Sequence, residues 1–416
     1  MSLPAESSAR GDPLLGIVAE DRARLIGALT RWCGDLQLAE DGFGDAVEAA
    51  LKTWPANSPA DPRAWLVTVA RNRIRDVLRS SASRTSTALT DEIGRSLEAD
   101  PIPSRDDTLA LLFACAHPAL DRGVHAPLIL QVALGVSTSD IATAFALPVA
   151  TLAKRLVRAK QKLRANRASF EIPERIDGER VQAVLDAIYA AYAVDWLQIA
   201  PPGATDLIAE EAVNASQLLL RERPEDHEVR GLAALLLLLH SRASARIIDG
   251  VLVPLDEQDP ADWDSHLIAR GDRILHGGLS FPRTRAPGPY ELQAAIQSAH
   301  ASRGATGETP WPVIAGLYDA LVAETPSMGA QVARAVAVAR ASDPGRGLAI
   351  LDALPSSYPA IDAFQAFHAA RGALLSEAGD AEAAGRELQR AYDLCTDIPS
   401  RRHLARMIAR LAGDGA

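Results

Sequence analysis

The chain has few of the features that would place it outside the cell or in a membrane. Its three cysteines, Cys33, Cys115 and Cys395, lie far apart and form no CxxC pair. This excludes a disulfide framework and points to a reducing compartment. The longest apolar run, Leu232 to Leu239, is far short of the ~20 residues that span a bilayer. The N-terminus, MSLPAESSARGDPLLGIVAEDR, lacks a cationic start followed by an apolar run, so it does not read as an export signal. The sequon Asn214-Ala215-Ser216 therefore carries no meaning. A soluble, cytoplasmic protein with no membrane contact is expected. Enzyme signatures are missing as well: there is no G-x-x-x-x-G-K-[ST], G-x-S-x-G, H-E-x-x-H or G-x-G-x-x-G. No catalytic residue, cofactor or metal is called for. Cys115-Ala116-His117 offers at most a lone metal or nucleophile pair, and an isolated Cys is more often core.

A basic surplus is also missing overall, since the net charge is −10. The average hides an asymmetry. Residues 1–170 hold 21 Lys/Arg against 19 Asp/Glu, and residues 171–416 hold 22 against 34. Within the first part, residues 105–170 alone hold 9 against 4. Phosphate affinity follows local charge, so a basic module can sit on an acidic protein. The acidic remainder suits a protein or small ligand, or restraint of the basic module.

Aromatics are only 5%, and apolar residues recur at three and four almost everywhere. That periodicity predicts an all-α protein. Residues 13–82 form one helical block. Residues 83–104, rich in Ser and Thr with Pro101 and Pro103, read as a flexible linker. Residues 105–170 form a second helical block, and residues 173–412 a long helical array. One interruption stands out: Ile247 to Val253 reads as two short extended runs around Asp249-Gly250. The acidic loop after it, with Asp256, Glu257, Asp259, Asp262 and Asp264, offers carboxylates to a cation but lacks EF-hand spacing. After Pro326, helices of about 12–16 residues alternate with short breaks, as in helix-pair repeats. Gly379 to Ala384 with Leu388 and Ala391-Tyr392 fits a tetratricopeptide unit.

Two stretches carry recognition chemistry. In Val136 to Arg164, Ser137 stands three residues before Asp140, a helix-capping pattern. Ile141, Ala142 and Phe145 share a face, and Ala146-Leu147-Pro148 breaks the helix. In the next helix Leu152, Leu156, Ala159 and Leu163 form the expected core stripe, while Lys154, Arg155, Arg158 and Lys162 form a cationic one. Two short helices around a tight turn, the second basic, suit a major-groove reader, although a solvated basic helix in a bundle has the same pattern. The other stretch runs from Trp65 to Arg79. Leu66, Val69, Ala70, Ile74, Val77 and Leu78 are its expected core side, and Arg71, Arg73, Arg75 and Arg79 ring the rest. A ring followed by spaced cations suits single-stranded DNA, and a core Trp with solvated arginines fits equally.

Taken in order, these stretches resemble bacterial extracytoplasmic-function sigma factors. Asp35 to Asp41, Trp54-Pro55 and Pro62 to Asp76 look like sigma region 2. Cys115 to Leu120 and the helix-turn-helix through Arg164 look like region 4. The chain is most similar to the subgroup with a long tetratricopeptide-like C-terminal extension. Phe170-Glu171-Ile172-Pro173, Asp249-Gly250 to Asp259 with Trp263, Gly288 to Ile296 and Arg334 to Ala339 carry that likeness. The resemblance implies two small helical sigma domains, regions 2 and 4, then the array with one β-hairpin-like insertion. It implies an alternative sigma factor that binds core RNA polymerase and directs promoter recognition, melting and initiation, with the extension regulating it. By carry-over, Glu40, Asp41, Gly44, Asp45 and Val47 lie at the polymerase clamp. Trp65, Arg71, Asn72, Arg73 and Arg75 lie at the single-stranded −10 element. Pro148, Val149, Ala150, Thr151, Lys154, Arg155, Arg158 and Lys162 lie at the duplex −35 element, where Thr151 suits a base edge or a thymine methyl. The linker, with Asp91, Glu92, Glu98 and Asp100, would thread between the modules.

The chain departs from that pattern at the clamp helix. Gly44 and Val47 stand where the family usually has Gln and then Phe, with Gly42 nearby, and helix-interior glycines cost roughly 0.5–1 kcal/mol each relative to Ala. That helix is expected to be weakened. Ala333 stands where the family's array has Asn. Two other classes stay open on the residues: an ordinary helix-turn-helix regulator with a partner-binding or sensing array, and a degenerate sigma-like scaffold.

Overall fold

The computed structural model describes residues 13–55, 57–82, 103–104, 106–145, 147–166, 168–172, 177–197, 206–282 and 285–413. Nearly all of the 83–104 linker, with Asp91, Glu92, Glu98 and Asp100, lies outside them, as does Ala146 of the turn. The fold is all-α apart from one two-stranded hairpin. The described chain divides into two compact units, with the boundary after Leu219.

In the first unit, α1 (Pro13–Cys33), α2 (Leu36–Thr53) and α3 (Pro62–Ala82) pack pairwise. Helix α2 is started by Asp35, whose carboxylate accepts from the Leu38 N–H at 3.2 Å, satisfying one of the orphan donors of a helix start. It runs unbroken through Gly42 and Gly44, so the glycines do not interrupt it. Their roles differ. A Cβ at Gly42 would lie 2.7 Å from Ile74 Cγ1, so this glycine lets α3 approach α2; around Gly44 there is open space. Gly44→Ala is therefore expected to stabilise the fold by about 0.5–1 kcal/mol. Gly42→Ala should destabilise it by about 1–3 kcal/mol through overpacking. Urea denaturation of the two variants should shift in opposite directions. On α3 the core side is Leu66, Val67, Ala70 and Ile74. Val67 is buried there too, while Val77, expected in the core, is 40% exposed.

Next come α4 (Asp106–Cys115), α5 (Arg122–Val132), α6 (Thr138–Ala144) and α7 (Val149–Ala165). Ser137 starts α6 as its pattern predicts: its Oγ accepts from the Asp140 N–H at 3.1 Å and donates to the Asp140 carboxylate at 2.6 Å. Pro148 is the residue just before α7, extended at φ −63°, ψ 132°, rather than a member of its first turn. Leu152, Leu156, Ala159 and Leu163 are buried as the periodicity requires. Helix α8 (Gly178–Leu197) also belongs to this unit, although its sequence position puts it in the array. It packs on α4 and α5, and Arg180 donates from Nε to the Phe113 carbonyl at 2.8 Å. Helix α9 (Asp206–Glu222) crosses the boundary between the units.

The second unit begins with α10 (His227–His240), which holds the long leucine run. This helix is buried almost throughout, which explains why its sequence shows no polar face. The hairpin β1 (Ile247–Ile248) and β2 (Val251–Leu252) pairs Ile247 with Leu252. Its turn places Asp249 at φ 53° and Gly250 at φ 71°, the double positive φ that makes Asp-Gly the preferred pair there. Then follow α11 (Ser265–Gly277), α12 (Pro289–Ala301), the single turn α13 (Arg303–Thr306), α14 (Trp311–Glu324), α15 (Met328–Ala341), α16 (Pro344–Ala353), α17 (Gln365–Glu377), α18 (Ala381–Leu394) and α19 (Ile398–Gly413). Their buried clusters succeed one another along the chain. Ile296, Ile314 and Ala337 lead to Val332, Leu351 and Leu374, and then to Leu388, Ala391 and Leu404. Each helix thus packs on its sequence neighbours, and α19 folds back onto β2.

His300 on α12 stacks edge-on against Trp311 at 5.4 Å. Burial, with Arg242 and Arg303 nearby, pushes its imidazole down to about 4. The unfolded chain takes up this proton near pH 6.5 and the folded one does not until about pH 4. His300 thus supports the fold above pH 6.5 and withdraws that support as the pH falls toward 4. His300→Leu should reduce the loss of thermal midpoint over that window relative to wild type.

Candidate nucleic-acid interface

Three sets of sequence-predicted residues lie in the first unit. On α7, Pro148, Val149, Ala150, Thr151, Lys154, Arg155, Arg158 and Lys162 are all exposed. All eight sequence-predicted −35 residues are thus open to solvent, with Thr151, Lys154, Arg155, Arg158 and Lys162 on one face of the helix. Lys154, Arg155, Arg158 and Lys162 make no ion pair or hydrogen bond among the described residues. Val149 and Val157, at 49% and 51% exposure, add apolar surface beside them. An uncompensated row of cations on a short helix after a tight turn has the charge and shape to track phosphates while its first turn meets base edges.

On α3 the five predicted −10 residues are divided by their neighbours. Asn72 is exposed and unengaged. Arg73 donates to Asp45 on α2 at 2.6 Å, and this bond raises its basicity. Burial, then the nearby Arg75, lowers that of Arg71. Arg75 sits over the Trp32 ring at 5.6 Å. Trp65 is half-buried, edge-on to Trp54 with ring centroids 5.6 Å apart. The rings beside α3 number more than one Trp: half-buried Trp32 comes from α1, and Trp54, 8% exposed and so part of the core, from the end of α2. The sequence names Trp54 only within a likeness and gives Trp32 no role. Only the packing of three helices joins them.

The predicted clamp residues on α2 fall on two sides of the helix. Asp41 and Gly44 are exposed, in line with Glu48 and with Leu51, which is 55% exposed. Val47 is half-buried, and Asp45 is spent on Arg73. Glu40 points the other way. Its carboxylate meets the Lys160 ammonium of α7 at 2.7 Å, with the two side chains 11% and 9% exposed. Beside it, Arg164 of α7 reaches Asp35 at 2.9 Å. Arg22 of α1 donates to the Val132 carbonyl at 3.1 Å and lies over the Phe43 ring. Arg31 of α1 grips Asp107 of α4 through Nε at 2.7 Å and Nη2 at 3.3 Å. The first three helices and α4–α7 are thereby fastened into one body. Lys160, adjacent to the core stripe, reads in the sequence as one more surface cation.

Other candidates close. Cys115 is fully buried, and burial pushes its thiol upward; the same cause moves Cys33 up to about 12 and Cys395 to about 11. None is a nucleophile at neutral pH. His117 Nδ1 accepts from the Ala119 N–H at 3.0 Å in the turn after α4. In the acidic loop a cation is already supplied by the chain: Arg303 donates to the carbonyls of Leu255, Asp256 and Gln258 and covers the Trp263 ring. Asp256 pairs with Arg340, while Asp259 and Asp264 cap helical turns. No cluster of three potential metal ligands occurs among the described residues, and no described helix is long and apolar enough to cross a membrane.

With this geometry in place, comparison with known proteins is informative. Residues 17–84 match Sigma-70 region 2. Helices α1–α3, which carry the arginine and tryptophan surface, are thus a sigma-70 region 2, and the match supports a sigma-factor-like role in promoter recognition. Residues 180–278 match a family of unknown function (DUF6596). An uncharacterized protein of Rhizobium meliloti (strain 1021) is 36% identical over 407 residues, covering 95% of each chain. The chain belongs to the same family as that protein, across region 2, α4–α7 and the array together. No solved structure matches it.

Proposed function

We propose that the protein is an alternative sigma factor of the extracytoplasmic-function type. Helices α1–α3 bind core RNA polymerase and hold the −10 element as a single strand. Helices α6 and α7 are a helix-turn-helix that reads the −35 element as duplex. The array from α10 onward is a tetratricopeptide-like regulator of that activity. The observation that carries this reading is the open row of Lys154, Arg155, Arg158 and Lys162 on α7, in the same body as a sigma-70 region 2. Region 2 alone would leave the duplex unread, and a basic α7 alone would leave α1–α3 without a task. Half-buried Trp65, braced edge-on by the buried Trp54, and Asn72 and Arg75 of the same helix supply a ring and donors to bases removed from the stack.

The test is co-elution of the full chain with core polymerase, followed by run-off transcription from the promoter of its own gene. Co-elution with discrete transcripts is the expected result. Binding of duplex without any association with core would instead make the protein an ordinary helix-turn-helix regulator. Deleting residues 220–416 should change promoter-directed activity by at least about tenfold, and unchanged activity would remove the regulatory role of the array.

A further inference from the structure

Between the hairpin and the last helix of the array lies a cavity of about 180 Å³. Its walls are opposed in charge. One is a face of α19, on which His403, Arg406 and Arg410 recur at three and four residues. The other comes from the hairpin and the turn after it, with Asp249 and Glu257. Ile248, Val251 and Met407 add apolar lining. Arg402 of α19 donates to the Gly250 carbonyl at 3.2 Å, and a Cβ at Gly250 would lie 2.5 Å from the same guanidinium. The turn is thus held against α19. The four charges nevertheless do not neutralise one another. The side chains of Asp249, Glu257, Arg406 and Arg410 are exposed and make no ion pair or hydrogen bond among the described residues. Elsewhere in the array facing charges do close: Arg371 meets Asp352 at 3.0 Å, and Arg340 meets Glu377 at 2.9 Å. Burial lowers the basicity of His403; Glu257 opposes that, and Arg410 and Arg406 add to it. The imidazole is therefore uncharged at neutral pH, and the lining holds two cations and two carboxylates.

We propose that this cavity binds a free amino acid with an apolar side chain: its carboxylate on Arg406 and Arg410, its ammonium on Asp249 and Glu257, and its side chain against Val251 and Met407. Unpaired charge of both signs on opposed walls is complementary to a dipolar ion, whereas a simple anion would meet the two carboxylates and a simple cation the two guanidinium groups. Size points the same way. A cavity of about 150 Å³ takes a molecule as large as benzene, and drug-sized ligands need roughly 300 Å³ or more. The cavity at the hairpin therefore suits a ligand of amino-acid size and is too small for a nucleotide. The site belongs to the second unit alone and holds whether or not the first unit is a sigma factor. It gives the array a small-molecule signal to read.

The experiment is thermal unfolding of the full chain with each standard amino acid at about 10 mM, since a ligand of the native state raises the midpoint. Affinities of those that do are then measured by calorimetric titration. Leucine and methionine should raise the midpoint. Lysine and glutamate, whose side chains add an unmatched charge, should not. N-acetyl-leucine, which lacks the ammonium, and leucinamide, which lacks the carboxylate, should each bind at least about tenfold more weakly than leucine, the worth of one charge-assisted contact. Asp249→Asn keeps a residue suited to the positive φ of the turn. It and Arg410→Gln should each weaken leucine binding by a similar factor, and both alter exposed side chains. Arg386→Gln, whose guanidinium pairs with Glu382 outside the cavity, should leave it unchanged. No shift with any amino acid overturns the proposal, as does a shift with charged amino acids alone. Equal binding of leucine and its two analogues overturns it too. Inorganic phosphate that protects as well as leucine would make this an anion site and would likewise overturn it. None of these outcomes bears on co-elution with core polymerase, which tests the sigma reading separately.

Discussion

Alanine at Arg155, Arg158 and Lys162 together should lower affinity for promoter duplex about 100-fold at 0.15 M salt. Each cation that neutralises a phosphate contributes about 0.9 to the slope of log K against log salt. Losing three should flatten the slope by about 2.7, and at 0.15 M each is worth roughly fivefold by the same relation. Run-off transcription should fall in parallel. The fold should not suffer, because the three side chains are exposed and make no hydrogen bond or ion pair among the described residues; surface changes of this kind stay within about ±0.5 kcal/mol. Thr151→Val provides the contrast. It removes a hydroxyl from the first turn of α7 without touching charge, so the salt slope should hold while discrimination at one base pair weakens by about 1 kcal/mol or more. Fluorescence anisotropy across a salt series separates the two. An unchanged slope in the triple variant would mean that this row does not face phosphate.

Much of this surface was legible in the sequence, and the reason is periodicity. A core stripe of four residues on α7 fixes which side is buried. The remaining residues can then be placed by counting, so the cations of α7 come out as one open row. The capping of α6 by Ser137 and the Asp249-Gly250 turn were readable for a similar reason: each is decided within four residues, by local hydrogen bonding or by φ alone. What was not legible depends on partners distant in sequence. Gly42 reads as a weak point in a helix until Ile74 is placed against it. Trp32 has no signal of its own, because its role comes from Arg75, two helices away. Helix α8 reads as the first helix of the array, and only Arg180 on the Phe113 carbonyl assigns it to the first unit. In the acidic loop the carboxylates are visible in the sequence, but the guanidinium that gathers the loop carbonyls arrives from Arg303, more than forty residues on.

The buried pair between the two modules shows the same limit most sharply and should respond most strongly to mutation. Glu40 belongs to a motif that reads as a polymerase contact, and Lys160 reads as one of seven cations between 151 and 170. Neither residue announces that the other will neutralise it. Lys160→Met should cost about 3–5 kcal/mol, measured by urea denaturation of the first unit's transition, because it leaves a carboxylate in a site it cannot leave without opening the junction. That is a large part of the 5–15 kcal/mol by which an ordinary domain is stable. The double variant Glu40→Leu/Lys160→Met should recover most of the loss or exceed wild type, since two ions no longer have to be desolvated at a site withdrawn from solvent beside the buried Cys115. Equal destabilisation in single and double variants would mean that the ammonium stem packs the site and the charge pairing is incidental. Recovery in the double variant would instead show that the cost of the single variant is the unpaired Glu40 carboxylate, and that apolar side chains can hold α7 on α2 without the ion pair.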